Sequence, residues 1–148
     1  MMNNLKPKQS YTIWFSQRTG STLLCRALQS IGIAGKPSEW LDYQNASNLL
    51  DKYQLDRYRD LQHHLWQLGS TSNGVFGVKT GACEPYLGNI IDTFKKFPGC
   101  DRQLNNRAEV WENAFLNCKH IYMTRRNKVR LAVSWWKAIQ SEGWQNYW

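Results

Sequence analysis

Apolar and polar positions along the chain follow two periods in turn, which predicts strands alternating with helices. Three short runs rich in β-branched and aromatic residues, Tyr11–Phe15, Gly74–Lys79 and His120–Thr124, are typical of buried strands. Apolar residues recur at helical spacing between and after them. Because parallel strands need helical crossovers, this order predicts an α/β fold in three α/β/α layers, with helices covering both faces of a small parallel sheet.

Helices are predicted from apolar spacing and from the residues that begin and end them. The first follows a loop at Ser16–Thr22 and is expected to end at Gly32, and a later one is expected to end at Gly69. Another should start near Pro85 and finish near Pro98. The predicted apolar faces are Leu24, Ala27, Leu28 and Ile31; Tyr58, Leu61, Leu65 and Leu68; Trp111, Ala114, Phe115 and Cys118; and Ala132, Trp135, Trp136 and Ile139.

The length of 148 residues fits a single domain, residues 1–148, with a core that needs no disulfides. Three strands make a thin sheet, so we expect an incomplete domain or a homodimer. The four cysteines are widely spaced, which indicates reduced thiols in a cytoplasmic protein. The N-terminus lacks the apolar stretch of a signal peptide, and no run approaches the roughly 18 apolar residues of a membrane span.

Positive charge is concentrated in one segment. The formal net charge is +8, and Lys119–Lys137 contains six basic residues and no acidic one. Such a segment favours a polyanionic partner: nucleic acid, acidic lipid or a phosphorylated nucleotide. Charge alone does not choose among them.

The loop Ser16–Thr22 is the sharpest candidate for chemistry, because it joins a predicted strand to a predicted helix. A phosphate there can accept hydrogen bonds from successive backbone N–H groups at the positive end of the helix dipole. Gly20 permits close approach, Arg18 adds charge with bidentate geometry, and Ser21 and Thr22 add hydroxyl donors. The alternative is an ordinary capped helix after a glycine turn. This is not a Walker A loop, since no Lys follows Gly20.

A second basic segment lies at the next strand-to-helix junction. Arg125 and Arg126 follow the third strand, Asn127 can cap the next helix, and Arg130 and Ser134 share one helix face. A phosphate held between a strand-end arginine and Ser134 is geometrically reasonable. The alternative is a solvated basic face.

These two junctions together resemble the phosphate-binding elements of sulfotransferases that use 3′-phosphoadenosine-5′-phosphosulfate (PAPS). The chain is most similar to the trehalose 2-sulfotransferase-like family of bacterial enzymes, in order over residues 11–144. The segments that carry this resemblance are Ser16–Leu24, Gly32–Trp40, Asn73–Lys79 and Ala132–Ala138 with the arginines before it.

The resemblance implies the sulfotransferase fold and direct transfer of a sulfuryl group from PAPS to a carbohydrate or glycolipid hydroxyl. Gln17, Arg18 and the amides of Thr19–Thr22 would hold the 5′-phosphosulfate, with Arg18 stabilising charge on the leaving phosphate. Arg125 or Arg126, together with Ser134, would bind the 3′-phosphate. The spacing to Ser134 favours Arg126, whereas the closer family leaves Arg125 open.

The resemblance also assigns the acceptor side of the site. Glu39 matches the proposed general base of the family; its alternative is a carboxylate in the first turn of a helix that Ser38 caps. Lys36 replaces another glutamate of the family, and Lys79 is a candidate contact to substrate or sulfate, or a surface lysine. Such a transfer needs no metal. Relatives continue beyond the equivalent of Trp148, so we expect the domain to be incomplete at its C-terminal end.

Two other functions compete with sulfuryl transfer. One is a P-loop-like nucleotide kinase or hydrolase, which the missing Walker lysine disfavours. The other is a non-catalytic basic domain that binds a nucleotide, or binds nucleic acid through Lys119–Lys137. Because that segment coincides with the second phosphate element, we do not expect nucleic acid as the partner. The acceptor is expected to be a sugar or glycolipid.

Overall fold

The computed structural model of the chain describes residues 6–41 and 53–141, which form three strands and five helices. The elements in chain order are β1 (Gln9–Phe15), α1 (Ser21–Ile31), α2 (Tyr58–Gly69), β2 (Val75–Gly81), α3 (Tyr86–Lys96), α4 (Arg107–Ala114), β3 (Cys118–Met123) and α5 (Lys128–Gln140).

The strands form one parallel sheet in the order β2-β1-β3. Ser10 of β1 lies opposite Phe76 of β2 and Cys118 of β3, so the carboxyl ends of all three strands meet at one edge. The α/β fold with a small parallel sheet is therefore confirmed. Since β1 lies in the centre, the loop that follows it leaves the middle of that edge, where α/β proteins bind ligands.

One face of the sheet carries most of the core. Trp14 packs against Trp111 of α4 with ring centroids 4.8 Å apart, and Trp111 Nε1 donates to Thr12 Oγ1 over 2.8 Å. Phe76 stacks on Phe115 at 5.3 Å. Alternation along the strands turns these side chains to the same side, where α2, α3 and α4 supply the remaining apolar contacts.

The opposite face is closed beside β2 by α1 and by residues 32–41. Gly77 is required there: a Cβ at this position would lie 2.7 Å from the Tyr11 ring and 3.0 Å from Pro37. The Tyr11 hydroxyl donates to the carbonyl of Ala34 over 2.5 Å, and the Lys79 amide donates to the carbonyl of Ser38 over 2.9 Å. The segment is thereby tied to β2.

The predicted helix containing Trp111 is shorter than expected. It begins after Asn106, whose side chain accepts a hydrogen bond from the Glu109 amide, and it ends at Ala114. Cys118 was expected on its apolar face but is the first residue of β3. The reason is tertiary: the Cys118 thiol lies 3.2 Å from Thr12 Oγ1, so it packs on the sheet as part of a strand.

Within the described residues, helical cover of the sheet is incomplete at β3, in keeping with the expected incomplete domain. Cys118 is the one fully buried residue of this strand, while Tyr122 is 74% exposed. The predicted apolar face of α5 is exposed as well, with Trp136 at 64%, and Ala138 is the buried residue of this helix. Residues 6–41 and 53–141 contain no element that packs over this surface.

Candidate active site

The loop between β1 and α1 has the backbone geometry of an anion-binding site. Arg18 and Gly20 both adopt left-handed conformations, with φ of 64° and 88°. Left-handed residues within a turn can direct successive N–H groups toward one side of the chain. Gly20 is also the N-cap of α1 and provides no side-chain cap to the first turn. The initial N–H groups of the helix therefore receive no cap from the Gly20 position, and such groups are suited to bind an anion.

Arg18 has an unfavourable backbone conformation for a residue with a side chain. A left-handed φ costs such a residue about 1–2 kcal/mol, so the surrounding contacts must hold it in place. Its guanidinium Nε donates to Ser134 Oγ over 2.9 Å, which joins the loop to α5 across the sheet edge. This contact uses the Ser134 oxygen as an acceptor and leaves the hydroxyl hydrogen to be donated elsewhere.

Further contacts fix the second junction against the loop. The Asn127 side chain caps α5 by accepting from the Arg130 amide over 2.9 Å. Trp135 Nε1 donates to the Gln17 carbonyl over 2.9 Å, and Arg125 Nη1 lies 3.4 Å from the Arg18 carbonyl oxygen. These donors approach the carbonyls of Gln17 and Arg18, and so fix α5 and the end of β3 against the loop.

A cavity of about 510 Å³ separates the two junctions. Its volume falls in the range of small-molecule binding sites. Gly20 and Ser134 both line it, so one ligand can contact both phosphate elements. The lining is basic, with four cationic side chains and no acidic one. It consists of Arg18, Thr19, Gly20, Arg125, Val129, Arg130, Val133, Ser134 and Lys137.

The structure distinguishes between the two arginines after β3. Arg125 lines the cavity with Ser134, whereas Arg126 is exposed and is not among the described lining residues. Arg130 and Lys137 join them, and Lys137 was missed in the sequence. The signal was present: the spacing of Arg130, Ser134 and Lys137 repeats the helical period and places them on one face of α5.

Glu39 and Lys79 form an ion pair next to the loop. Lys79 Nζ lies 2.7 Å from Glu39 Oε1 and donates to Thr22 Oγ1 over 3.2 Å. The same ammonium lies 4.6 Å from the centroid of the Phe15 ring. The Lys79 side chain is 8% exposed and that of Glu39 47%. Lys79 is therefore a buried residue within β2, and the surface-lysine alternative is wrong.

Lys36 is placed differently from the other residues expected on the acceptor side. Its amide donates to the Gly69 carbonyl over 2.8 Å, and its carbonyl accepts from Trp40 Nε1 over 3.1 Å. Its side chain is exposed and makes no hydrogen bond or ion pair within the described residues. The alternative that Ser38 caps a helix with Glu39 in its first turn is wrong, because Ser38 and Glu39 lie in irregular structure and Trp40 and Leu41 in a turn.

Cys25 is buried in α1 close to this ion pair. Burial raises the pKa of its thiol, the positive charge of Lys79 lowers it by less, and Glu39 raises it again. The thiol therefore stays protonated near neutral pH, which makes it a packing residue and a poor nucleophile.

Neither a cluster of metal ligands nor a membrane-spanning helix occurs in the described part of the chain. Over residues 6–41 and 53–141, no three His, Cys, Asp or Glu side chains are grouped so that they could bind a metal ion. Among the helices of the same ranges, none combines the length and apolar character needed to cross a membrane.

Comparison with known proteins identifies relatives of this chain and its family. The chain is 28% identical to trehalose 2-sulfotransferase of Mycolicibacterium smegmatis over 92% of its own length and 59% of that protein. It is 25% identical to trehalose 2-sulfotransferase of Mycobacterium tuberculosis over 93% of its length and 59% of that protein. It thus spans about three-fifths of each relative. The model of the Stf0 sulphotransferase family matches residues 10–147, and the chain belongs to that family.

Proposed function

We propose that this protein transfers a sulfuryl group from PAPS to the hydroxyl of a carbohydrate or glycolipid. The observation that carries the proposal is the basic cavity that Gly20 and Ser134 both line. A donor with a phosphate group at each end of an adenosine would place one end on the loop after β1 and the other on α5. Family membership supports the reaction class.

On the donor side, the loop would bind the 5′-phosphosulfate. The amides of Thr19–Thr22, which lie at the positive end of α1, would donate to it, with Gln17 next to them, and Arg18 would supply a permanent charge. As the sulfuryl group leaves, negative charge grows on the 5′-phosphate oxygen, and donors that are already oriented stabilise it without reorganising. Arg125 and Ser134 would bind the 3′-phosphate, with Arg130 and Lys137 as additional cations; Arg126 remains the alternative that the sequence spacing suggested.

On the acceptor side, Glu39 would be the general base. The acceptor oxygen forms a bond to sulfur while the bond from sulfur to the 5′-phosphate oxygen breaks. The hydroxyl proton moves to the Glu39 carboxylate, and the bonding electron pair stays on the phosphate of the product, 3′-phosphoadenosine-5′-phosphate (PAP). This step uses no metal and no redox partner.

A sugar acceptor is supported by the two relatives, whose names specify trehalose. Lys36 replaces a glutamate that the family has in this segment and is exposed here. A cation in place of a carboxylate changes the hydrogen bonds offered to an acceptor, so we propose a trehalose-like acceptor without equating it with trehalose.

We further propose that the protein is a cytoplasmic homodimer. The cysteines of the described residues are all free thiols, as expected in a reducing compartment. The exposed apolar side chains of α5 and β3 form the surface on which a second copy would pack.

The donor assignment is tested by comparing PAP with 5′-AMP in calorimetric titrations. PAP should bind about tenfold more tightly or better, because the 3′-phosphate gains charge-assisted hydrogen bonds on α5. Ser134→Ala should reduce that advantage, so PAP binding should weaken more than AMP binding; a smaller loss for AMP is expected because Arg18 Nε loses its acceptor, Ser134 Oγ. Ser30→Ala is the matched control: its hydroxyl bonds to the Ala27 carbonyl on exposed α1 and should change neither ligand.

Other results would support the competing functions. Binding of ATP with Mg²⁺ but not PAP would indicate a kinase or hydrolase. DNA or RNA binding that falls steeply with salt and is not displaced by PAP would indicate a basic nucleic-acid domain. Equal affinities for PAP and AMP in the unmodified protein would refute the two-phosphate arrangement.

A further inference from the structure

Lys79 lies where the donor and acceptor halves of the proposed site meet. A lysine ammonium has three N–H donors and no acceptor. Here one donor faces Glu39 Oε1 at 2.7 Å and another faces Thr22 Oγ1 at 3.2 Å. The face of the Phe15 ring covers the same ammonium, at 4.6 Å from its centroid. One buried charge thus contacts the proposed base, the first turn of α1 and the last residue of β1.

The backbone around Lys79 fixes this arrangement. The Lys79 amide donates to the carbonyl of Ser38, the residue immediately before Glu39, over 2.9 Å. Pro37 packs against β2 at Gly77, where a Cβ would lie only 3.0 Å from the proline Cβ. Glu39 is therefore attached to β2, whereas Thr22 belongs to α1. The Lys79 side chain connects these two separate parts of the chain.

We propose that Lys79 is a positioning residue for sulfuryl transfer, holding the Glu39 carboxylate at a fixed place beside the donor loop. The inference rests on the proposed function. Lys79 binds one carboxylate oxygen; a carboxylate has a second, and Glu39 is exposed enough for an acceptor hydroxyl to reach it. Because the same ammonium bonds to Thr22, the base stays in register with the loop that holds the sulfuryl group.

The buried position explains why a charged residue is needed. An ammonium that is 8% exposed is costly unless an opposite charge or good acceptors compensate it. The pair is therefore mutually fixed: the carboxylate compensates the ammonium, and the ammonium limits the positions open to the carboxylate. A neutral side chain of similar length would fill the space but leave Glu39 free to rotate toward solvent.

Two other roles predict different behaviour. If Lys79 only stabilised the fold, its replacement would lower the melting temperature without changing the turnover of the folded protein. If it bound the substrate directly, its replacement would weaken substrate binding. A positioning residue instead lowers kcat, while the affinity for PAP and the KM for the acceptor stay close to their original values.

The first test is spectroscopic and needs no turnover. In ¹⁵N-labelled protein, the Lys79 ammonium should give a side-chain NMR signal protected from exchange by its ion pair. Adding PAP should shift it more than the signal of Lys119, an exposed lysine on β3. Glu39→Gln should abolish the protection. An unprotected Lys79 signal in the unmodified protein, or one that neither PAP nor Glu39→Gln changes, would overturn the proposal.

The second test is kinetic, with trehalose as the acceptor probe. Lys79→Met should lower kcat about 100-fold, as expected when a reacting group is misplaced, and leave the Kd for PAP within about twofold. Lys79→Arg should recover part of kcat, and Lys119→Met should behave like the unmodified protein. A loss in PAP affinity equal to the loss in kcat would contradict a positioning role.

The two tests separate this inference from the proposed function. If the unmodified protein binds PAP but transfers no sulfuryl group to any sugar offered, the transfer proposal fails. The NMR result then still decides whether Lys79 links Glu39 to the donor loop. If transfer occurs and Lys79→Met is fully active, the proposed function stands and the positioning role is refuted.

Discussion

At the scale of single residues, Gly20 and Gly32 form a natural pair for testing the phosphate loop. Both flank α1 with left-handed backbones, φ 88° and 76°, and a Cβ added at either would meet nothing within 4 Å. Gly20→Ala and Gly32→Ala should therefore each lower the free energy of unfolding by a similar amount, about 1 kcal/mol. Denaturant titration of both variants measures this cost.

The two glycines differ in what lies beside them, because Gly20 lines the basic cavity. A methyl group at Gly20 would stand where a phosphate approaches the loop amides, so Gly20→Ala should also weaken PAP binding about tenfold or more. Gly32→Ala should leave PAP binding unchanged. Equal PAP affinity in both variants would show that the phosphate does not approach the backbone at Gly20.

At the residue scale, the candidates that meet at one place in the structure are those that a local sequence pattern singles out. Arg18, Gly20 and Ser134 were identified from two short segments, and the structure brings them to one cavity. The choice of Arg125 over Arg126 for the lining could not be made from spacing, since neighbouring residues at a strand end differ only in side-chain direction. The pairing of Lys79 with Glu39 depends on how residues 36–41 align with β2, which no local pattern encodes.

At the scale of elements, α5 has an apolar face that the described residues do not cover. Trp136 and Ile139 are 64% and 53% exposed. The helical period in the sequence was correct, but periodicity identifies an apolar face and not the element that buries it. Helices α2, α3 and α4 bury their apolar faces in the core against the sheet. Helix α5 instead contacts the loop between β1 and α1, including a hydrogen bond from Trp135 Nε1 to the Gln17 carbonyl.

This face provides a test of the proposed homodimer. The double variant Trp136→Gln/Ile139→Gln should shift the protein from dimer to monomer in sedimentation-velocity experiments, because it removes apolar area from the contact. Its free energy of unfolding, measured on the monomer, should change by less than about 1 kcal/mol, since both side chains are solvent-exposed.

A matched control comes from α1. Ile31 is 57% exposed, close to the value for Ile139, but lies on a different helix. Ile31→Gln should leave the dimer intact if association uses α5. If the unmodified protein is a monomer at all concentrations, the homodimer is refuted. If Ile31→Gln weakens the dimer as much as the double variant on α5 does, the contact does not depend specifically on α5.

At the scale of the whole molecule, several buried acids oppose unfolding only while they keep their protons. Burial raises the pKa of the Tyr11 and Tyr58 hydroxyls and of the Cys25 and Cys118 thiols above their ordinary values of 10.0 and 9.0. The folded state therefore holds these protons more tightly than the unfolded state does. Their contribution to stability is complete below pH 9 and is lost as the pH rises above it.

We therefore expect the free energy of unfolding to fall as the pH rises from 9 through 11, whereas these four groups contribute almost no pH dependence between 7 and 8.

Variants of the two tyrosines test which groups cause this alkaline loss of stability. The Tyr11 hydroxyl donates to the Ala34 carbonyl, while the buried Tyr58 oxygen has no hydrogen-bond partner among the described residues. At neutral pH, Tyr11→Phe should cost about 1 kcal/mol, and Tyr58→Phe should cost nothing or stabilise.

Above pH 10 the two variants should lose unfolding free energy with pH to a similar extent, because each lacks one group that ionises in the unfolded state but not in the folded state. Urea titrations at successive pH values should give each variant a smaller alkaline loss than the unmodified protein. The neutral-pH difference between them would come from hydrogen bonding and the alkaline change from proton linkage. An unchanged alkaline slope in both variants would mean that other groups, the buried thiols first, cause the loss, since a phenol that no longer exists cannot titrate.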